Sequence, residues 1–427
     1  MLKSYFVKEN DNMLSKLIDD GFPVSRYKKQ LNIIGSKAKN NKVGFAQFGN
    51  ANERLRLYVL PKDYKEESEP SFLNYLNKAL EIARKTGLKK HEINDCLFDV
   101  VLNSQRSDKG FNSLDDFIDA NAFNALTEIK DFFSKHSSRR SKDLHVNSSG
   151  LKYRLNVLKN IQEIDNSNIS QTKKDVKNES VLADYTIEAL SFFISKKAKY
   201  HANHDSLRHQ ASQVASFIRR RFEIKTRGVR ISKLSTSSVQ RLFIKKSAYN
   251  LYKALLHLLG EFGETDDKAG NTGLPLSDLS TFFLSPELIY EKYLYLAFKS
   301  RFEQLDVEPS ERIKIKYNWV LPSSKKEQRD SKPDIVITTK PHQRHHRKWV
   351  IDAKWKRVKK LSDISFDDVS KLKRDEILHE GNYAILAYAF VTPKLVGKHT
   401  LELHDNYSFT FWVISIPFNY VKDVPSK

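Results

Sequence analysis

Cysteine is almost missing from this chain: Cys96 stands alone among 427 residues. A single thiol excludes an intramolecular disulfide and any cysteine-built zinc cluster, and makes a reducing, cytoplasmic compartment the expectation. Long apolar runs are missing too. No stretch approaches the roughly 18–20 residues that a membrane span needs, and Met1–Asn10 lacks the apolar core of a signal peptide. No GxxxxGK[ST] segment occurs, which excludes a nucleotide-hydrolysing motor built on that phosphate loop. Aromatic residues are plentiful but fall at core spacings, leaving no stacking platform for single strands. Among the charges, acid is scarce: 52 Asp and Glu face 73 Lys and Arg, a net +21. That balance points to a polyanionic partner, nucleic acid before an anionic membrane.

The basic excess is local. Residues 196–246 hold 14 Lys or Arg and two acids, Asp205 and Glu223. Arg219, Arg220, Arg221, Lys225, Arg227 and Arg230 are the expected phosphate contacts there, with a solvated basic helix surface as the plainer alternative.

Composition divides the chain into an α+β or α/β multidomain arrangement. Residues 1–135 are expected to form a mixed α/β domain that meets DNA or a partner; its clearest strand is Arg54–Leu60, closed by Pro61, and a helical pattern runs from Phe72 to Lys85. Residues 136–180, rich in Ser, Asn and Lys, read as a polar linker or insertion with one helix-compatible island at Leu151–Ile164. Residues 181–265 read as a basic helical domain, and the Gly-, Asn- and Pro-punctuated stretch after Gly263 ends it. Residues 276–427 begin with a helix that Ser285 can cap and Pro286 can open. Strands follow at Arg312–Trp319, Pro333–Thr338 and Lys348–Lys354, then a helix at about Ser362–His379, then strands at Tyr383–Val391 and Ser408–Ile416. That order suits a mixed sheet flanked by helices.

The chemistry sits in two of those strands. Pro333-Asp334-Ile-Val-Ile is followed, with 17 residues between Asp334 and Asp352, by Asp352-Ala353-Lys354 inside Trp349–Trp355. Alternation puts Asp352 and Lys354 on one face, with Ile351 and Ala353 on the other. Charges inside so apolar a strand disfavour it unless function requires them. Two carboxylates and an ammonium at a sheet edge can hold a divalent cation, position a water and stabilise a phosphoryl transition state; Lys354 as a mere ion-pair partner is the plainer alternative. Glu291 stands on the apolar stripe of Leu288, Leu294 and Phe298. It is either a third acidic group of that site or a rim glutamate paired with a lysine such as Lys292. His342, His345 and His346 lie with Arg344 and Arg347 in the connector between the two motif strands, where a basic loop touching phosphate is a simpler reading than a zinc site.

Asp334, Asp352 and Lys354 in this spacing resemble the PD-(D/E)xK nuclease superfamily. Further features are similar to the McrC-type subunit of McrBC modification-dependent restriction systems: Val43–Gly49 leading to Leu57–Lys62, Arg227-Gly228, Asn250–Leu255, and Ile289-Tyr290-Glu291. Lys373–Ile377 is similar to an Arg-Asp helix of related nuclease-domain proteins. The resemblance implies a restriction-endonuclease-like C-terminal domain and Mg²⁺, with Mn²⁺ as a substitute, held by Asp334, Asp352 and Glu291. It implies Lys354 beside the attacking water, DNA as substrate, and a separate AAA+ GTPase (McrB-like) as partner in a prokaryotic defence system. Two other functions stay open from the residues alone: a self-sufficient nuclease, and a non-cleaving activator of a motor. Oligomeric state stays open too.

Overall fold

The computed structural model describes residues 2–9, 12–28, 31–32, 34–35, 41–49, 54–62, 66–88, 110–135, 141–148, 154–155, 169–176, 179–222, 237–245, 248–259, 280–309, 312–320, 326–340, 347–403 and 407–418.

The N-terminal sheet starts with β1 (Leu2–Lys8), followed by α1 (Met13–Asp19), β2 (Val43–Gly49) and β3 (Arg54–Leu60). Strand β1 runs parallel to β3, from Leu2 opposite Arg54 to Lys8 opposite Leu60, and β2 is antiparallel to β3. Alternation in β3 serves two cores. Tyr58 and Leu60 face one cluster with Phe45 and Phe72, while Leu55, Leu57 and Val59 face another with Phe48 and Phe22. Arg56 is buried on the Tyr58 side and is neutralised there: its Nε donates to Gln47 Oε1 at 2.9 Å, and Asp115 and Glu69 supply the countercharge. Helix α2 (Glu69–Thr86) covers this face. Ser68 caps it by accepting from the Ser71 N–H, Pro70 sits in its first turn, and Gly87 ends it at φ +67°, a conformation that favours glycine.

Helix α3 (Leu114–Lys135) bridges two cores, Leu114 and Phe117 packing under the sheet and Ala122 to Phe133 packing with the central helices. Between them Asp119 accepts from Asn203 through both its backbone N–H and its amide, and pairs with His201 at 2.8 Å. The polar stretch expected as a linker holds β4 (Ser141–Ser148), β5 (Arg154–Leu155) and β6 (Ile169–Val176), an antiparallel sheet in the order β4-β6-β5. Backbone hydrogen bonds across eight residue pairs build β4–β6, and a polar sequence does not advertise them. The helix expected at 151–164 has β5 within it, and its other residues lie outside the described ones. The central bundle follows as α4 (Glu179–Phe192), α5 (His204–Phe222), α6 (Ser237–Lys245) and α7 (Tyr249–Leu259), around Leu190, Val214, Ile218, Phe243 and Leu255.

Strand β7 (Ser280–Leu284) returns to the N-terminal sheet, antiparallel to β2, giving the order β1-β3-β2-β7. Gly44 permits this: a Cβ there would collide with the Phe282 carbonyl oxygen and lie 2.7 Å from Phe283 Cα. Helix α8 (Pro286–Arg301) comes next, with Pro286 at its start; Ser285 takes the N-cap position without a side-chain capping bond. Then follow β8 (Leu305–Pro309), β9 (Ile315–Val320), β10 (Lys326–Ser331), β11 (Ile335–Thr339), β12 (Lys348–Val358), α9 (Phe366–Leu378), β13 (Tyr383–Val391), β14 (Gly397–Leu403) and β15 (Tyr407–Ser415). Six of these strands make a mixed sheet in the order β14-β15-β13-β12-β11-β8. The strand expected at Arg312–Trp319 does not join it, because β9 pairs with β10 as a separate hairpin.

The pair β11–β12 is antiparallel, and β12–α9–β13 is a parallel crossover through a helix. Helix α8 packs on one face against Ile335, Ile337 and Ile351, and Val369 and Leu372 of α9 cover the other against Val350, Leu386 and Val413. Both faces of β12 are therefore buried over Val350–Asp352, which is why a charge at Asp352 stands out.

Candidate active site

Asp334 precedes β11, one position beyond the pair Ile335–Ile351, so it stands across from Asp352 on β12. Its Oδ2 accepts the Ala353 N–H at 2.7 Å, which fixes the carboxylate against the strand that carries its counterpart. Asp352 is fully buried on the α9 face. Lys354, two residues on and on the same face, places Nζ 2.8 Å from Asp352 Oδ2 and 3.3 Å from Asp368 Oδ1. The structure brings the Asp334, Asp352 and Lys354 side chains together.

Helix α9 contributes two residues that the sequence reading missed. Lys371 Nζ is 2.5 Å from Asp352 Oδ1 and 3.8 Å from Asp334 Oδ1, bridging the two acids. Asp368, one turn earlier, receives both Lys354 and Lys356 at 3.3 Å. Their i, i+3 spacing on the helix directly after β12 was the available signal. Ser365 holds the helix start by accepting the Asp368 N–H at 3.1 Å. Tyr388, opposite Lys354 in β13, is also fully buried, and its hydroxyl finds no hydrogen-bond partner among the described residues.

Charge explains the titration behaviour. Burial and the nearby Asp352, with a smaller push from Glu291, raise Asp334 to about 7, against the opposing pull of Lys371. Burial works against charge on Lys354 and Lys371, but the surrounding aspartates outweigh it and hold both above the ordinary lysine value. Asp368 is held below the usual carboxylate range, Lys354 and the Ser365 hydroxyl outweighing its burial. Both lysines are ammonium ions at neutral pH and serve as positive charges and donors, not as bases.

Glu291 lies on α8 with its side chain 21% exposed. Its Oε1 is 3.3 Å from Lys292 Nζ, the partner that the plainer reading names, yet its charge still reaches Asp334. Arg374-Asp375 lies apart from the acids. Asp375 accepts from Arg374 and from buried Ser331, which also meets His379 Nε2 at 3.1 Å, and this cluster ties β10 to α9.

Among the described residues no three His, Cys, Asp or Glu side chains converge as a complete ligand set. The donor chemistry nonetheless suits Mg²⁺, which binds through one or two carboxylates and keeps water or phosphate oxygens for its other positions. Asp352 Oδ2 is the supporting observation: it is a buried carboxylate oxygen whose neighbour is the Lys354 ammonium, 2.8 Å away.

Of the expected DNA contacts, Arg219, Arg220 and Arg221 form the last turn of α5. Arg219 and Arg220 are exposed, while Arg221 donates to the Ser134 carbonyl at 3.0 Å and lies over Phe217. Arg347 is exposed at the start of β12. Lys225, Arg227, Arg230, Arg344 and the three connector histidines lie outside the described residues. Among the described residues no helix is long and apolar enough to cross a membrane.

No family model and no curated protein matches the chain. Among solved structures it aligns with a chain of the half-complex from the tetradecameric assembly of Thermococcus gammatolerans McrB AAA+ hexamers with bound McrC. That alignment has 13% identity and TM-score 0.42 over 97% of this chain and 95% of that one. A second alignment is to the Thermococcus gammatolerans McrBC complex, with 14% identity and TM-score 0.32 over 68% of this chain and 86% of that one. The match is to components of McrBC complexes. At these TM-scores it carries no argument about chemistry, which rests on the site.

The repulsion between the acids has a measurable consequence. A carboxyl raised to about 7 binds a proton in the folded state that the unfolded chain, with its value near 4, has already released. The wild-type protein without metal should therefore lose stability through this group as pH rises from about 4 to about 7. Asp334→Asn keeps an acceptor for Ala353 and removes the charge. It should melt above wild type at about pH 8, by a margin that vanishes near pH 4. A margin independent of pH in thermal unfolding would contradict the repulsion.

Proposed function

We propose that this chain is a Mg²⁺-dependent DNA endonuclease, the McrC-like cleavage subunit of a prokaryotic restriction system that works with an AAA+ GTPase. The carrying observation is the pairing of Asp334 with Asp352 across β11–β12, with Lys354 on the same face as the fully buried Asp352. Burial together with the charge of Asp352 raises Asp334 to about 7 despite Lys371, an arrangement that costs stability and suits cation binding. The partner and the defence role rest on the sequence motifs, and the six-stranded sheet is read as restriction-endonuclease-like.

In this reading Asp334 and Asp352 would hold Mg²⁺ or Mn²⁺, and Glu291 would add a third carboxylate to the site from α8. When bound, the ion would supply charge neutralisation at the scissile phosphate and a more acidic water. Lys354, fixed between Asp352 and Asp368, presents an ammonium to the phosphate and the attacking water. Lys371 bridges the two acids and adds a second ammonium beside them, within the site where a phosphate would lie. Arg219 and Arg220 supply sequence-independent attraction for the DNA backbone.

One observation favours a second reading. Lys371 already places a positive charge between Asp334 and Asp352, as expected of a chain that keeps the fold without metal and acts as a non-cleaving DNA-binding activator. Plasmid cleavage with Mg²⁺ by the full chain, with its motor partner if one is required, separates the two. Asp352→Asn should lower the rate at least about a hundredfold while leaving DNA affinity near wild type. Cleavage by Asp352→Asn at the wild-type rate, or none by wild type under any divalent ion, would remove the nuclease assignment.

The basic helix end makes a separate prediction. Arg219→Gln with Arg220→Gln should weaken binding to unrelated duplexes alike and flatten log affinity against log salt by about two phosphate equivalents. Arg221→Gln should instead lower the melting temperature, because it unties α5 from the end of α3. An unchanged salt slope in the double variant would assign this helix end to a partner contact.

A further inference from the structure

The ladder between β12 and β13 is interrupted directly after Lys354. Pairs run from Trp349–Tyr383 to Lys354–Tyr388 and resume at Arg357–Phe390, skipping Trp355 and Lys356. On its other side β12 has no strand beyond Ile351, where the registered pairs with β11 end. The Trp355 backbone thus stands where neither neighbour supports it, next to the residue whose direction matters most.

Two residues from the N-terminal sheet fill that position. Lys62, just past β3, donates from Nζ to the Trp355 carbonyl at 2.8 Å. Glu9, just past β1, accepts the Trp355 indole N–H on Oε1 at 2.7 Å. Both ends are themselves held. Glu9 N–H donates to the Leu60 carbonyl at 2.9 Å, and the Lys62 N–H donates to Glu9 Oε1 at 3.3 Å. Trp355 is 5% exposed and packs against Tyr290, the neighbour of Glu291 on α8, with ring centroids 5.6 Å apart. A buried carboxylate, an ammonium and an indole from two distant parts of the chain therefore meet at one strand interruption.

We infer that Glu9 and Lys62 are positioning residues for the acid–lysine site: acting through Trp355, they hold the bulge of β12 and so the direction in which Lys354 leaves the strand. That they serve cleavage rests on the nuclease reading above; that they hold β12 does not. Strand alternation gives the reason. A bulge residue free to return to the ladder would shift every later side chain of β12 by one position, so Lys356 would leave Asp368, the group it shares with Lys354. The N-terminal sheet thereby acts on the site without contributing a group to it, and displacement of that sheet is felt at Lys354.

The test uses the full chain with Lys62→Met, Lys62→Arg and Trp355→Phe, the last keeping the ring and removing the N–H. Hydrogen–deuterium exchange should rise at least about tenfold at residues 354–358 in Lys62→Met, with α9 and β11 unchanged, and return toward wild type in Lys62→Arg. Single-turnover DNA cleavage should fall about tenfold in Lys62→Met and Trp355→Phe, at a DNA dissociation constant within about twofold of wild type. Exchange left unchanged, or raised evenly across the sheet as in general destabilisation, overturns the inference. So does wild-type single-turnover cleavage by the Lys62→Met and Trp355→Phe proteins in an assay where Asp352→Asn is silent. Wild-type cleavage by Asp352→Asn overturns the nuclease reading instead, and exchange alone then judges the clamp.

Discussion

Two carboxylates facing each other across an antiparallel strand pair set the terms for the C-terminal half of this molecule. Asp334 cannot turn away from Asp352, because the Ala353 N–H holds it. Asp352 cannot reach water, because α9 and β13 enclose it. The charge that results has to be met from nearby, and two lysines meet it, one from β12 and one from α9. The crossover β12–α9–β13 is therefore more than a way to reach the next strand. It delivers Lys371 and Asp368 to the face on which the acids lie.

Neutralisation by lysine is incomplete. Burial and the charge of Asp352 still raise Asp334 to about 7, and Asp352 is fully buried beside it. Native proteins seldom leave buried charge in such a state without a use for it. A hard divalent cation would satisfy such oxygen donors, and that is the ground of the proposed metal dependence. The surrounding architecture keeps the strand stiff. One face of β12 packs on α8 and the other on α9, and the N-terminal sheet grips the single place where its ladder breaks.

Much of this was legible in the sequence because strands have a period of two. Ile351 and Ala353 alternate with Asp352 and Lys354 as opposite faces require, and the helical pattern before Tyr383 marked the crossover. Glu291 was legible only as one of two readings, and the structure gives it features of both: an ion pair with Lys292 and a reach to Asp334. What escaped had no local signature. Strand β7 looks like any short apolar run, and nothing in it says that it joins a sheet more than two hundred residues upstream, so the expected boundary at 276 cuts through a shared sheet. The strands β4 and β6 are polar, so their pairing is written in backbone geometry alone. Lys371 was one lysine among many until α9 placed it between the acids. Glu9 and Lys62 are ordinary surface residue types whose burial depends on a tryptophan some three hundred positions away.

The central claim is that the enclosed acid pair is built for a divalent cation, and direct binding tests it without cleavage, DNA or partner. Electron paramagnetic resonance of Mn²⁺ titrated into the full chain at neutral pH should show saturable binding that Mg²⁺ displaces, lost in Asp352→Asn and strengthened in Lys371→Met. Mn²⁺ binding that is absent, or that persists in Asp352→Asn, would contradict it.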